Sequence, residues 1–337
     1  MRSRLTARIA GPAPTRRRWS GFGRKGAGRS TRIWSRSSWI SWATDPRLGP
    51  PADPETPLAR SRMLLLGDPF DPSRTRDARR LWAPGLLTAG AALALVAMGL
   101  AMDRRGGALP GLGRAAASGA VHAGFIALGW VLAREGRSGW QGPALRVAVA
   151  LLVASLATRL SDWGALAYLL PPALLLRQSQ GDPALRGIGC ALPAGPRPSL
   201  LGLAAGTFLG LHLLITASLT FGYAVRVTSV SHYLTAVAYD VGANAVSAEW
   251  LFRGALFSLG WRRWEFWRAA AVSTSLAVTR YLLDPALPHT AEVAAGTVFY
   301  MTLLGFSACA LRAWSGSLVP GYLATVAFFA GYRMLAQ

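Results

Sequence analysis

Residues 233–259 read YLTAVAYDVGANAVSAEWLFRGALFSL, and this stretch decides what kind of protein the chain is. A hydrocarbon core of about 30 Å takes roughly 20 residues of apolar helix to cross, and the stretch is long enough. Yet it carries Asp240, Asn244, Glu249 and Arg253. Charge at that depth is costly, so a span that keeps it is a candidate functional element. Glu249 and Arg253 stand at i and i+4, where a helix puts them on one face as a pair. At 100° per residue, Asp240, Asn244 and Ser247 fall on roughly the opposite face and form a candidate polar cavity. The pair admits two readings: a self-neutralising anchor near the interface, or part of a chemical site.

Outward from this stretch the pattern repeats. Apolar runs cover 82–102, 115–133, 144–160, 163–176, 200–222, 266–283, 293–311 and 317–335. The third and fourth are short, are separated by Ser161 and Asp162, and include Pro171 and Pro172, so they also read as one broken hairpin. The expectation is an all-α, polytopic transmembrane helical bundle of eight or nine helices. Composition agrees: 52% of the 337 residues are hydrophobic, 15% are charged and the mean hydropathy is +0.31, where soluble domains carry about 25% charge. Two cysteines, Cys190 and Cys309, exclude a disulfide scaffold. They lack metal-ligand spacing and read as small core residues.

Charge divides the chain. Residues 1–62 hold 14 Lys+Arg against 3 Asp+Glu, with no helical or strand period and much Arg, Ser, Gly and Pro. This stretch reads as a disordered tail or as a misplaced start before Met63, ahead of lipid binding by a basic segment. Residues 63–222 then form an N-terminal set of membrane helices and 233–335 a C-terminal core. Basic residues are retained on the cytoplasmic side. The tail, the 177–199 loop with Arg177, Arg186 and Arg197, and the 260–268 loop with Arg262, Arg263 and Arg268 fall on one side of a nine-helix count. The loop with Asp284 and Glu292 falls on the other, whereas Arg104, Arg105 and Arg114 run against the scheme. The expected place is a cell (inner) membrane, multi-pass, with a cytoplasmic N-terminus and the lipid bilayer as partner. No nucleic-acid module or basic folded face accompanies the 35 arginines and the single Lys25, so nucleic acid is not an expected partner.

The segment SAEWLFRGAL (247–256) resembles the first motif of the CPBP family of intramembrane proteases, the CAAX-protease or bacteriocin-processing family, typically EExxFRG. STSLAVTRYL (273–282) occupies the place of the second motif, a Phe, three intervening residues, then His. GTVFYMTLLGFSACALRAWSGSLVPGYLATVAFF (296–329) is similar to the last two helices, with Gly305, Gly316–Ser317–Leu318 and Pro320 at the family's glycine-rich and "tGSlwppil" positions. The resemblance covers 233–335. It implies an intramembrane endopeptidase in which a glutamate activates water and His and Asn groups stabilise the oxyanion.

Residue by residue, the resemblance is degenerate. The first Glu, the usual base, falls on Ala248, while the second Glu and the Arg are retained as Glu249 and Arg253. The second-motif Phe falls on Leu276 and its His on Arg280; the third-motif His falls on Thr325 and its Asn on Phe329. Alanine accepts no proton, and arginine stays protonated and binds no metal. The family's chemistry has been argued with and without a divalent metal. Ligands for one are absent here, and no cofactor is expected. His122, His212, His232 and His289 lie off the motifs and read as packing residues.

Three functions follow. The first is a catalytically impaired member that binds membrane-anchored peptides or protein partners. The second is an active peptidase rewired around Glu249 with Asn244, His212 or Thr325. The third is a transporter or channel lined by Asp240, Glu249 and Arg253. Arg280 either points inward to pair with Glu249 or snorkels to the interface.

Overall fold

The computed structural model describes residues 78–104, 111–133, 142–180, 183–227, 229–284 and 290–335. The basic stretch 1–62, Met63, Arg105 and His289 lie outside these residues, as do the side chains of Arg104, Arg186 and Arg262. Among the described residues the regular elements are all helices. They are α1 (Ala78–Arg104), α2 (Leu112–Ala133), α3 (Pro143–Ala157), a 3-10 turn (Asp162–Leu169) leading into α4 (Leu170–Ser179), and α5 (Pro183–Ile188). Then come α6 (Pro196–Phe221), α7 (residues 230–263), α8 (Phe266–Leu282), α9 (Ala291–Ser315) and α10 (Val319–Tyr332).

Four of these are long and apolar enough to cross a membrane: Gly85–Asp103 within α1, Leu112–Leu132 within α2, α6 and α9. Their outer faces carry large apolar side chains in the open, including Leu86, Leu93, Phe208, Ile215 and Leu219, the last 82% exposed. Apolar surface on this scale suits lipid, not water. α3 and α10 are apolar but hold 15 and 14 residues, about 21–23 Å of helix, which is short of the hydrocarbon thickness.

The 144–176 region is broken, for a local reason. The chain leaves α3 after Ala157, Ser161 Oγ accepts from Trp163 N at 3.2 Å to start the 3-10 turn, and Pro171 opens α4. Proline there lacks only an N–H that the first helical turn leaves unbonded anyway.

α7 is the hub. Every residue from 242 to 255 is buried, and α2, α4, α8, α9 and α10 all pack on it. α2 and α6, from the first of the two expected helical sets, share a core with the second. α6 lies along α10 on a seam of small residues. A side chain at Gly202 would meet the backbone of Pro320, one at Gly206 the backbone of Ala324, and one at Gly210 the backbone of Phe328 at about 3.4 Å. The four-residue spacing lines these glycines up on one stripe, the small-xxx-small arrangement that lets helix backbones touch in a membrane. An antiparallel bridge from Val225 to Leu335, with Arg226 N donating to Met334 O at 2.9 Å, ties the C-terminal end to the α6–α7 connection.

Alanine scanning of glycines separates this seam from helix propensity. Gly206→Ala forces α6 off the Ala324 carbonyl and is expected to cost about 1–3 kcal/mol. Gly296→Ala, where a Cβ meets nothing within 4 Å, gains up to about 1 kcal/mol of helix propensity. Thermal unfolding of the detergent-solubilised variants reads both signs.

Candidate functional site

The site is built on an irregular helix. Two segments of α7, Asp240–Asn244 and Glu249–Phe257, are π-helical, a wider winding that is rare and concentrates at functional positions. Looser winding leaves backbone carbonyls short of partners, and hydroxyls from α7 and its neighbours fill in. Tyr322 OH donates to Val241 O at 3.0 Å, Ser273 Oγ to Phe252 O at 2.6 Å, Ser258 Oγ to Arg253 O at 3.3 Å and Ser247 Oγ to Asn244 O at 3.3 Å. In the low dielectric of the bundle each such bond replaces an unsatisfied acceptor.

The winding also changes which side chains share a side. In an uninterrupted α-helix, Asp240 and Glu249 are half a turn out of phase. Here both reach α10, because a π turn absorbs about one extra residue, or roughly 100° of phase. Asp240 takes a bidentate bond from Arg333, Nε to Oδ2 at 2.7 Å and Nη2 to Oδ1 at 3.1 Å. Glu249 Oε1 accepts from Thr325 Oγ1 at 2.9 Å. The two helices run antiparallel at this contact, 325 opposite 249 and 333 opposite 240.

Around Glu249 lies a small buried polar centre. Arg253 Nη1 stands 3.7 Å from Glu249 Oε1, an ion pair without a direct hydrogen bond. Glu249 Oε2, Arg253 Nε and Thr274 Oγ1 are buried without a hydrogen-bond partner among the described residues. Two glycines make the room. A Cβ on Gly321 would sit 2.8 Å from Glu249 Oε2, and one on Gly305 would crowd Thr274 and come within 3.0 Å of the Arg253 guanidinium.

The other expected residues go to three different places. Ala248 is buried in an apolar cluster with Leu251, Phe252 and Ala277. Leu276 faces outward and is 46% exposed. Phe329 joins the apolar cluster of Leu209, Tyr300 and Phe328, with Tyr281 at 5.6 Å between ring centres. Arg280 is half-buried and does not pair with Glu249. Its Nη1 donates to Asn244 Oδ1 at 3.0 Å, and its guanidinium lies 4.3 Å over the Tyr281 ring. Asn244 is engaged at both amide atoms, since Oδ1 also accepts from Tyr281 OH at 3.2 Å and Nδ2 donates to Asp240 Oδ1 at 3.1 Å.

His122 holds two hydroxyls, Ser247 Oγ on Nδ1 and Tyr239 OH on Nε2, both at 2.7 Å. His212 Nδ1 meets Tyr300 OH at 2.8 Å, and His232 lies in the first turn of α7, whose start is capped by Ser229. Cys190 and Cys309 are free and buried. Among the described residues no three His, Cys, Asp or Glu side chains stand together closely enough to hold a metal ion.

Two arginines escaped sequence reasoning. Arg333 is the partner of Asp240; its signal was a basic residue closing the last apolar run. Arg312 is buried in α9 and donates to Gly316 O and to Gly187 O, the latter at 3.0 Å. Gly189, at φ +100°, leaves the space its guanidinium fills. Arg312 thereby fastens the end of α5 to the α9–α10 turn, helped by Leu318 N donating to Gly189 O at 2.7 Å. Compared with known proteins, the chain matches no family model, no curated protein and no solved structure.

The Asp240–Arg333 pair makes a sharp test. Arg333→Gln leaves a buried carboxylate uncompensated and is expected to cost about 3 kcal/mol. Adding Asp240→Asn restores most of that loss, because the remaining amides are neutral. Chemical denaturation of the two variants in detergent checks the recovery.

Proposed function

We propose that this chain is a multi-pass membrane protein of the CPBP-like kind, catalytically impaired, which binds membrane-borne peptides or partner helices through the Glu249–Arg253 centre. The proposal includes eight or nine spans and a cytoplasmic N-terminus. Exposed Arg177, Arg197, Arg263 and Arg268 at the ends of α4, α6, α7 and α8 support that orientation.

The observation that carries the binding reading is the pair of open groups, Glu249 Oε2 and Arg253 Nε, buried on two side chains that form an ion pair. One accepts and the other donates, which is what a peptide amide needs from a partner. Leaving both unmatched costs free energy that a ligand recovers. Impaired hydrolysis is supported by the surroundings. Ala248 sits among apolar side chains. Thr325 and Arg280, at the family's two histidine positions, are spent on Glu249 and Asn244.

A second reading is favoured by the same open Oε2. A carboxylate oxygen beside an arginine can hold a water, as a peptidase rewired around Glu249 requires.

Glu249→Ala strands Arg253 and is expected to cost about 3–5 kcal/mol of stability. Glu249→Gln keeps the shape and one donor–acceptor pair. With the full chain in proteoliposomes, a set of single-span peptides is expected to cross-link to the native protein without being cut. Cross-linking is expected to weaken several-fold in Glu249→Gln. Cleavage that disappears in Glu249→Gln would instead favour the peptidase.

A further inference from the structure

On the side of α7 that meets α2, a second constellation stands apart from the Glu249 centre. Ser247 Oγ is 2.7 Å from His122 Nδ1, and His122 Nε2 is 2.7 Å from Tyr239 OH. All three come from helices, so their spacing is set by rigid elements: His122 from α2, and Tyr239 and Ser247 two turns apart on α7. A hydroxyl bonded to an imidazole whose far nitrogen is held by a third group is the arrangement that activates an oxygen nucleophile. A fixed positive charge accompanies it. Arg280 bonds Asn244, one turn before Ser247, and lies 5.9 Å over the Phe125 ring, whose centre is 6.5 Å from that of His122.

We propose that Ser247 is a nucleophile and His122 its base, acting on a carboxylic ester with an apolar acyl chain. The Ser247 hydroxyl turns from Asn244 O, 3.3 Å away, to His122 Nδ1 at 2.7 Å; its O–H bond then breaks and the proton passes to Nδ1, while Oγ bonds to the carbonyl carbon. The carbonyl oxygen gains the negative charge, which Arg280 offsets. Collapse breaks the ester C–O bond, and the leaving alcohol takes the proton from His122. Water then repeats the sequence on acyl-Ser247, releasing the carboxylic acid and restoring the serine.

An apolar acyl group suits the surroundings. The neighbouring cluster is Ala248, Leu251, Phe252 and Ala277, with Phe125 and Leu128 packed on it. Ser247 itself is buried, whereas Phe125 and Arg280 are half-buried. Tyr239 is a positioning residue that fixes the imidazole. The proposal does not depend on peptide binding at Glu249, which lies on other neighbours and can succeed or fail separately.

The test uses the full chain in liposomes and a long-alkyl fluorophosphonate, which phosphonylates an activated serine with loss of fluoride. Peptide mass spectrometry is expected to place the adduct on Ser247. His122→Gln is expected to slow labelling about 100-fold or more. Tyr239→Phe is expected to lower the maximal labelling rate at saturating probe while the half-saturating concentration stays unchanged. No adduct on Ser247 in the native protein overturns the proposal, as does an unslowed His122→Gln. The native protein alone decides the nucleophile, so a misfolded His122 variant leaves that arm intact.

Discussion

The bidentate bond between Asp240 and Arg333 is the constraint on which the rest depends. A carboxylate in a helix buried on nearly every side has to be neutralised or the helix does not stay there. Arg333 does this with two parallel bonds, the geometry in which guanidinium and carboxylate match best. It draws the last helix along α7 antiparallel, and in doing so brings Thr325 to Glu249. Asn244 then takes the remaining valence of Asp240 and passes the connection to Arg280 and Tyr281 on α8. Three helices are registered against one another by one chain of polar groups.

That chain fits because the neighbouring helices carry little bulk where it runs. Gly321 leaves room for the Glu249 carboxylate, Gly305 for Thr274 and Arg253, and Gly189 for Arg312. On the far side of α10, the glycine stripe of α6 lets two backbones touch. The bundle combines close contact through small residues with polar cross-links, two of the forces that join helices where the hydrophobic effect is weak. The irregular winding of α7 belongs to the same arrangement. It turns Asp240 and Glu249 towards one partner, and the carbonyls it loosens are taken up by serine and tyrosine hydroxyls.

Much of this was legible in the chain. Hydropathy reveals the helical architecture, and the charges in 233–259 mark α7 as the central element before any packing is known. Ser161 and Asp162 mark the interruption in 144–176, and Pro171 marks the helix that resumes after it. The phase of α7 is not legible, because a π turn has no composition of its own and a constant 100° step puts Asp240 and Glu249 on opposite faces. Long-range partners are hidden as well. Arg333 is 93 residues from Asp240, His122 is 125 from Ser247, and Arg312 binds carbonyls, which every residue has. Gly202, Gly206 and Gly210 show their spacing openly, but nothing local says that α10 is what they receive.

The distance between Asp240 and its counter-ion also has a meaning in time. A chain made from its N-terminus completes α7 well before Arg333 exists. Until α10 packs, the central helix carries an acid without the cation that neutralises it. The buried position of α7 is therefore settled late, once α10 is there to neutralise it. A chain that stops short of Arg333 holds all four long apolar helices and leaves its centre unneutralised.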